Sequence, residues 1–132
     1  MSTATKMPPL NPRDLAGIDD LLSDEEKAIR ATVRTVCETT VDPYVAEWFE
    51  AGELTDVREL AREFGRNGFL GMSATAYGLA CLELEASDSG IRSLVSVQGS
   101  LAMFAIHRWG SEEQKQQWLP NMAAGEAIGC FG

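Results

Sequence analysis

The chain has 132 residues, of which 45% are hydrophobic and 23% charged, as expected of one soluble globular domain or of part of a larger one. These proportions exclude a largely disordered chain, a collagen and a disulfide-stapled mini-protein. Twenty acidic against 11 basic side chains give a net charge of −9, which argues against nucleic acid as a partner, because phosphate binding rests on Lys and Arg.

Residues 1–17, with Pro8, Pro9 and Pro12, read as a flexible lead-in. Ser23 followed by Glu26 is a capping box and predicts a helix carrying Ile29, Val33 and Val36/Cys37 on one face. Asp42 and Pro43 predict the cap and first residue of a second helix, ending near Gly52. Thr55 or Asp56 caps a third, Val57–Asn67, with Val57, Leu60, Ala61 and Phe64 on one side. Gly65, Gly68 and Gly71 then break regularity. Ser73–Ala86 reads as a fourth helix, and Ser87–Gly90 as a turn and cap. Ile91–Arg108 reads as a long fifth helix, apolar nearly all round, as a buried central helix should be. Gly110 stops it, and Ser111 with Gln114 opens a sixth that Pro120 should kink or break. Gly125–Gly132 looks like the first half of a strand. The expectation is an all-α domain of about six helices over residues 18–124, followed at 125–132 by the start of a β-domain.

Between Asn67 and Ile106 the only charges are Glu83, Glu85, Asp88 and Arg92, so this stretch should be buried, in this chain or against another. Three distant cysteines without a CxxC make a disulfide framework or a zinc site a poor reading. The N-terminal residues lack the apolar core of a secretory signal, and no apolar run is long enough to span a bilayer; a reducing cytoplasm is the default compartment. His107 is the single histidine, and no Ser/His/Asp or Cys/His set has convincing placement.

Arg92 is the feature that stands out. On a regular helix it shares a face with Ser96, Gly99 and Met103. A lone guanidinium beside a hydroxyl and a glycine gap suits a small carboxylate, because its donor fork matches two oxygens. An ion pair with Asp88 or Glu85 explains the same residue, and both readings stand open on composition alone. Glu83 and Glu85, two apart on a helix, do not share a face, so a paired-carboxylate mechanism is unsupported.

The run Ala76-Tyr77-Gly78-Leu79-Ala80, Glu83-Leu84-Glu85, Asp88-Ser89-Gly90, Arg92-Ser93, Ser96-Val97-Gln98 and Ser100-Leu101 resembles the acyl-CoA dehydrogenase family. Gly110–Lys115, Trp118-Leu119-Pro120, Gly125-Glu126 and Gly129-Cys130-Phe131-Gly132 continue the likeness. The DSGxRS and SVQ elements with the closing GCFG look like the glutaryl-CoA dehydrogenase branch, and the resemblance covers about residues 18–132.

The resemblance implies a flavoprotein that removes α,β hydrogens from an acyl-CoA thioester: a Glu takes the α-proton and a hydride passes to FAD. For the glutaryl branch it implies decarboxylation of glutaryl-CoA to crotonyl-CoA as well. It also implies an electron-transfer acceptor and a homotetramer. Arg92 looks like the residue that holds the distal carboxylate, with Ser93 and Ser96 as neighbours and Glu85 nearby; Phe131 and Gly132 resemble the opening of the flavin-binding segment. The family's general-base Glu has no counterpart in this chain, so no residue here is assigned as catalytic and the chain alone is expected to be inactive. Gly71-Met72 runs straight into Ser73-Ala74, where relatives carry a short Gly-rich loop. The alternative expectation is a non-catalytic, truncated helical interaction module.

Overall fold

The computed structural model describes residues 11–130. Ser23 lies in extended backbone immediately before α1 (Asp24–Val36). Its Oγ accepts from the Glu26 N–H at 3.3 Å, and Glu26 Oε2 accepts from the Ser23 N–H at 2.8 Å. This reciprocal box satisfies two backbone donors that would otherwise be orphaned where a helix begins. α1 buries Arg30, Val33 and Val36 on one face and passes directly into a π-helical turn, Cys37–Val41.

That turn corrects the expectation for Pro43. The Asp42 N–H donates to the Cys37 carbonyl at 2.9 Å, which closes the wide turn and leaves Asp42–Tyr44 as a connection. α2 (Val45–Ala51) therefore starts two residues beyond Pro43, and Gly52 ends it at φ 69°. Asp56 precedes α3 (Val57–Arg66) with φ 56° and no capping bond from its side chain. Its carbonyl, accepting from the Glu59 and Leu60 N–H groups, begins the helix instead.

Ser73 sits in extended backbone before α4 (Ala74–Ser87). Asp88 caps α5 (Ser89–Ser96) by accepting from the Ile91 N–H at 2.9 Å. A second π-helical segment, Val97–Met103, joins α5 to α6 (Phe104–Trp109) in one continuous rod. After Gly110, Ser111 and Gln114 form the second capping box, at the start of α7 (Glu112–Ala123). The expected break at Pro120 does not occur. The helix runs through it, and the Pro120 carbonyl still accepts from the Ala124 N–H at 3.0 Å. Gln116, whose carbonyl loses the amide that proline lacks, lies on the exposed side, where water can replace it.

The result is six helical rods preceded by a short 3₁₀ helix, Ile18–Leu21, with no strand among the described residues. Residues 125–130, expected to begin a strand, form no ladder, which a strand requires of a partner. α1 packs on α4 and α4 on α5. Val33, Val36 and Val41 meet Leu60 and Phe64 of α3, Phe69 and Leu70 of the following connection, Ala80 and Leu84 of α4, and Ile91 and Val95 of α5. Phe64 and Phe69 stack at a tilt, with centroids 5.8 Å apart. Burying each large apolar side chain stabilises the fold by about 1.5–3 kcal/mol.

The long rod is not buried all round. Ile91, Val95 and Gln98 are covered, but Phe104 is 52% and Trp109 74% exposed. α4 packs mainly on the α5 half, and α7 with residues 127–129 covers part of the remainder, while one side of α6 stays open.

Candidate functional site

The α4–α5 corner presents Arg92 on the surface. Asp88 is committed to capping, so of the two carboxylates the sequence offered, Glu85 takes the arginine. Glu85 Oε2 accepts from Arg92 Nε at 2.6 Å. Arg92 Nη1 lies 3.4 Å from Ser96 Oγ, and Ser96 Oγ donates to the Ser93 carbonyl at 3.2 Å. Arg92, Ser93, Ser96 and Glu85 thus form one group, Ser93 through its backbone. The side chains of Arg92 and Glu85 are 35% and 50% exposed. Glu85's hydrogen bond and charge raise the Arg92 pKa further above its ordinary value, so the guanidinium is charged at every physiological pH.

Arg92 borders an open groove with Gly78, Cys81, Leu82, Glu85 and Ala86. The predicted shared face stops at Ser96. The π-helical turn that follows is wider than an α-turn and rotates the residues beyond it. Gly99 and Met103 instead line a separate cavity of about 760 Å³ with Tyr77, Phe104 and Leu119. The polar side chains of that cavity are Tyr77, Ser100 and His107, with no Lys, Arg, Asp or Glu. Such a lining suits an uncharged chain or ring and not a pyrophosphate.

Two polar arrangements escaped the sequence reading. Glu83 is buried at the α1–α4 seam. It accepts from Arg30 Nε at 2.6 Å, Arg34 Nε at 2.9 Å and Arg34 Nη2 at 2.8 Å. Arg30 also pairs with Asp19 and donates from Nη2 to the Arg13 carbonyl at 2.7 Å. Residues 11–17 are thereby tied to the bundle, with Asp14 accepting from the Ile18 and Asp19 N–H groups. Burial works to raise the Glu83 pKa, but the hydrogen bonds and charges of Arg34 and Arg30 outweigh it and the net direction is down. Arg30 and Arg34, four apart, were visible as charges on α1; their acid lies 49–53 residues away, and no local pattern connects them. The second arrangement is Gln98, 2% exposed, whose carboxamide holds the backbone of residues 122–129. Phe131 and Gly132, the expected flavin contacts, lie outside the described residues. No group of three or more His, Cys, Asp or Glu able to hold a metal ion occurs among the described residues, and no helix there is long and apolar enough to cross a membrane.

The fold and the site define an all-α domain that presents an arginine, paired with Glu85, at an open groove of the α4–α5 corner. The chain belongs to the acyl-CoA dehydrogenase family: the family description "Acyl-CoA dehydrogenase, N-terminal domain" matches residues 23–126. It is similar to a glutaryl-CoA dehydrogenase of Mycobacterium smegmatis, with a TM-score of 0.85 and 61% identity over 91% of this chain and 34% of that one. A second structure, of a glutaryl-CoA dehydrogenase of the same organism in complex with FADH2, matches at TM-score 0.85 and 54% identity over 92% of this chain and 33% of that one. The long-chain specific acyl-CoA dehydrogenase, mitochondrial, of Sus scrofa is 32% identical over 125 residues, which is 87% of this chain and 29% of that protein. The chain therefore spans about a third of the length of the relatives it matches.

Proposed function

We propose that this chain is the N-terminal part of a flavin-dependent acyl-CoA dehydrogenase acting on glutaryl-CoA, with α,β-dehydrogenation and decarboxylation to crotonyl-CoA. The observation that carries the reading is Arg92, a partly exposed guanidinium held by Glu85 and Ser96 beside the open groove of Gly78, Cys81, Leu82 and Ala86. The 61% identity to a glutaryl-CoA dehydrogenase supports the substrate.

In this reading the distal carboxylate of the acyl chain takes the terminal Nη edge of Arg92, at the groove of the α4–α5 corner. Glu85 keeps Nε and turns the fork towards the substrate. Its negative charge weakens the carboxylate's binding somewhat and fixes its orientation. Ser96 steadies Nη1 and Ser93 anchors Ser96. FAD, when bound, supplies the hydride acceptor. The mostly apolar cavity lining, without Lys, Arg, Asp or Glu, fits one wall of a flavin site, and the donors for its pyrophosphate are not in that lining. Phe131 and Gly132 are assigned to the flavin-binding segment by resemblance. No residue of this chain is assigned as general base, and the chain by itself is inactive. The domain runs over residues 18–124, with 125–132 opening the next. A homotetramer, an electron-transfer acceptor and a cytoplasmic location complete the proposal; three free cysteines support a reducing compartment.

The test is anaerobic mixing of the flavoprotein that contains this chain with glutaryl-CoA. Bleaching of the oxidised flavin band with release of carbon dioxide is expected. A flavoprotein bleached by uncharged acyl-CoAs but not by glutaryl-CoA contradicts the substrate. A second reading, a non-catalytic helical interaction module, draws on the open apolar side of the α5–α6 rod, where Leu101, Phe104 and Trp109 are exposed. Purification of the chain without flavin, bound to a larger subunit, favours that reading.

A further inference from the structure

Gln98 has more hydrogen bonds than a packing role requires, and all of them reach one distant segment. Its Nε2 donates to the Met122 carbonyl at 2.9 Å and to the Ala127 carbonyl at 2.7 Å. Its Oε1 accepts from the Gly129 N–H at 2.8 Å. Both donors are used, and the side chain is 2% exposed. The Met122 carbonyl, in the last turn of α7, also accepts from the Gly125 N–H at 3.2 Å, so the carboxamide is its second partner. The other two have a particular form: the carboxamide gives a hydrogen to the carbonyl before Ile128 and takes one from the amide after it. A residue on a neighbouring parallel strand bonds in the same way. One side chain thus stands in for a strand where the described residues provide none.

Glycines set the depth of the same segment. A Cβ on Gly125, at φ +75°, would collide with the Ala61 carbonyl. On Gly129 it would meet Ala102 Cβ, and Met122 Cε at 2.8 Å. On Gly65 it would meet the Ala124 carbonyl. Residues 124–129 therefore lie directly against α3 and the α5–α6 rod, at a register that Gln98 reads out.

Gln98 sits in the π-helical turn, six residues beyond Arg92 on one continuous rod. π-Turns inside helices recur at functional positions. We propose that Gln98 is a positioning residue: it fixes the backbone of residues 127–129 relative to Arg92 on the same rod. The consequence for flavin rests on the reading under Proposed function; the clamp does not.

The experiment has two arms. In the 132-residue chain, amide hydrogen exchange at Gly129 is measured in the wild type and in Gln98→Met, which keeps the size and removes the polar groups. The Gly129 amide is expected to be protected in the wild type and to exchange at least about tenfold faster in the variant, with the α1 and α4 amides unchanged. Gly129 exchanging in the wild type at the rate of an open chain overturns the clamp, and this holds even if the variant does not fold. In the second arm, FAD is titrated into the enzyme that contains this chain, with and without Gln98→Met. Affinity lower by about tenfold, together with an altered visible flavin spectrum, is expected. Unchanged affinity and spectrum overturn the positioning role. A wild type that binds no FAD removes the flavin reading and leaves the exchange arm to decide the clamp.

Discussion

Replacing Glu83 by glutamine tests the fold at its most charged buried point. The substitution keeps the shape and removes the charge. Glu83 Oε1 serves both Arg30 Nε and Arg34 Nη2, and a glutamine oxygen can still accept these two bonds. Oε2 serves Arg34 Nε, and there the glutamine amide sets donor against donor. Removing one partner of a buried ion pair costs about 3–5 kcal/mol. Arg30 keeps Asp19 and Asp14, and the Arg34 side chain is 29% exposed, so the lower end applies, about 3 kcal/mol. In a domain of this size that lowers the melting temperature by about 10 °C. Thermal unfolding followed by far-UV circular dichroism reads it directly. A melting temperature within about 2 °C of the wild type would refute the reasoning, because the cluster would then be exchanging with water.

The same pair of proteins predicts a pH dependence. The folded Glu83 pKa lies below its unfolded value of about 4.3, so its stabilisation is present above that value and lost as pH falls through the folded pKa. The melting gap between wild type and Glu83→Gln should be constant well above the unfolded value of about 4.3 and narrow progressively as the pH falls below it; a gap that widens on acidification contradicts the sign. Two glycines separate backbone strain from collision. Gly52→Ala at φ +69° faces open space and should cost about 1 kcal/mol, whereas Gly125→Ala, strained and set against the Ala61 carbonyl, should cost at least about 3 kcal/mol by chemical denaturation. Equal losses would show that residues 124–129 do not lie against α3.

Features governed by neighbours in sequence were legible in advance. Ser23 with Glu26, Ser111 with Gln114, the Asp88 cap and the Gly52 stop all act within four residues, and the structure has each of them. Pro43 and Pro120 misled for a shared reason: each was read as punctuation, while tertiary context set the outcome. The Cys37–Val41 turn displaced one helix start, and an exposed Gln116 carbonyl tolerated the other proline. Arg92 stood out because it is the one cation in a charge-poor stretch, and Glu85, seven residues away across the α4–α5 corner, was among its expected partners. The face assigned to it beyond Ser96 was wrong because a π-turn leaves no mark in a hydrophobic period. Glu83 and Gln98 act across 24–53 residues, a separation at which spacing carries no information.

The central claim is that Arg92 receives a substrate carboxylate. The direct measurement is kcat/KM of Arg92→Ala against wild type, in the enzyme that contains this chain, with glutaryl-CoA and with an uncharged acyl-CoA of similar length. Loss of a bidentate, charge-assisted contact predicts at least about a tenfold fall on glutaryl-CoA and less than about threefold on the uncharged substrate. Equal falls on both substrates would contradict it and leave Arg92 as the partner of Glu85 alone.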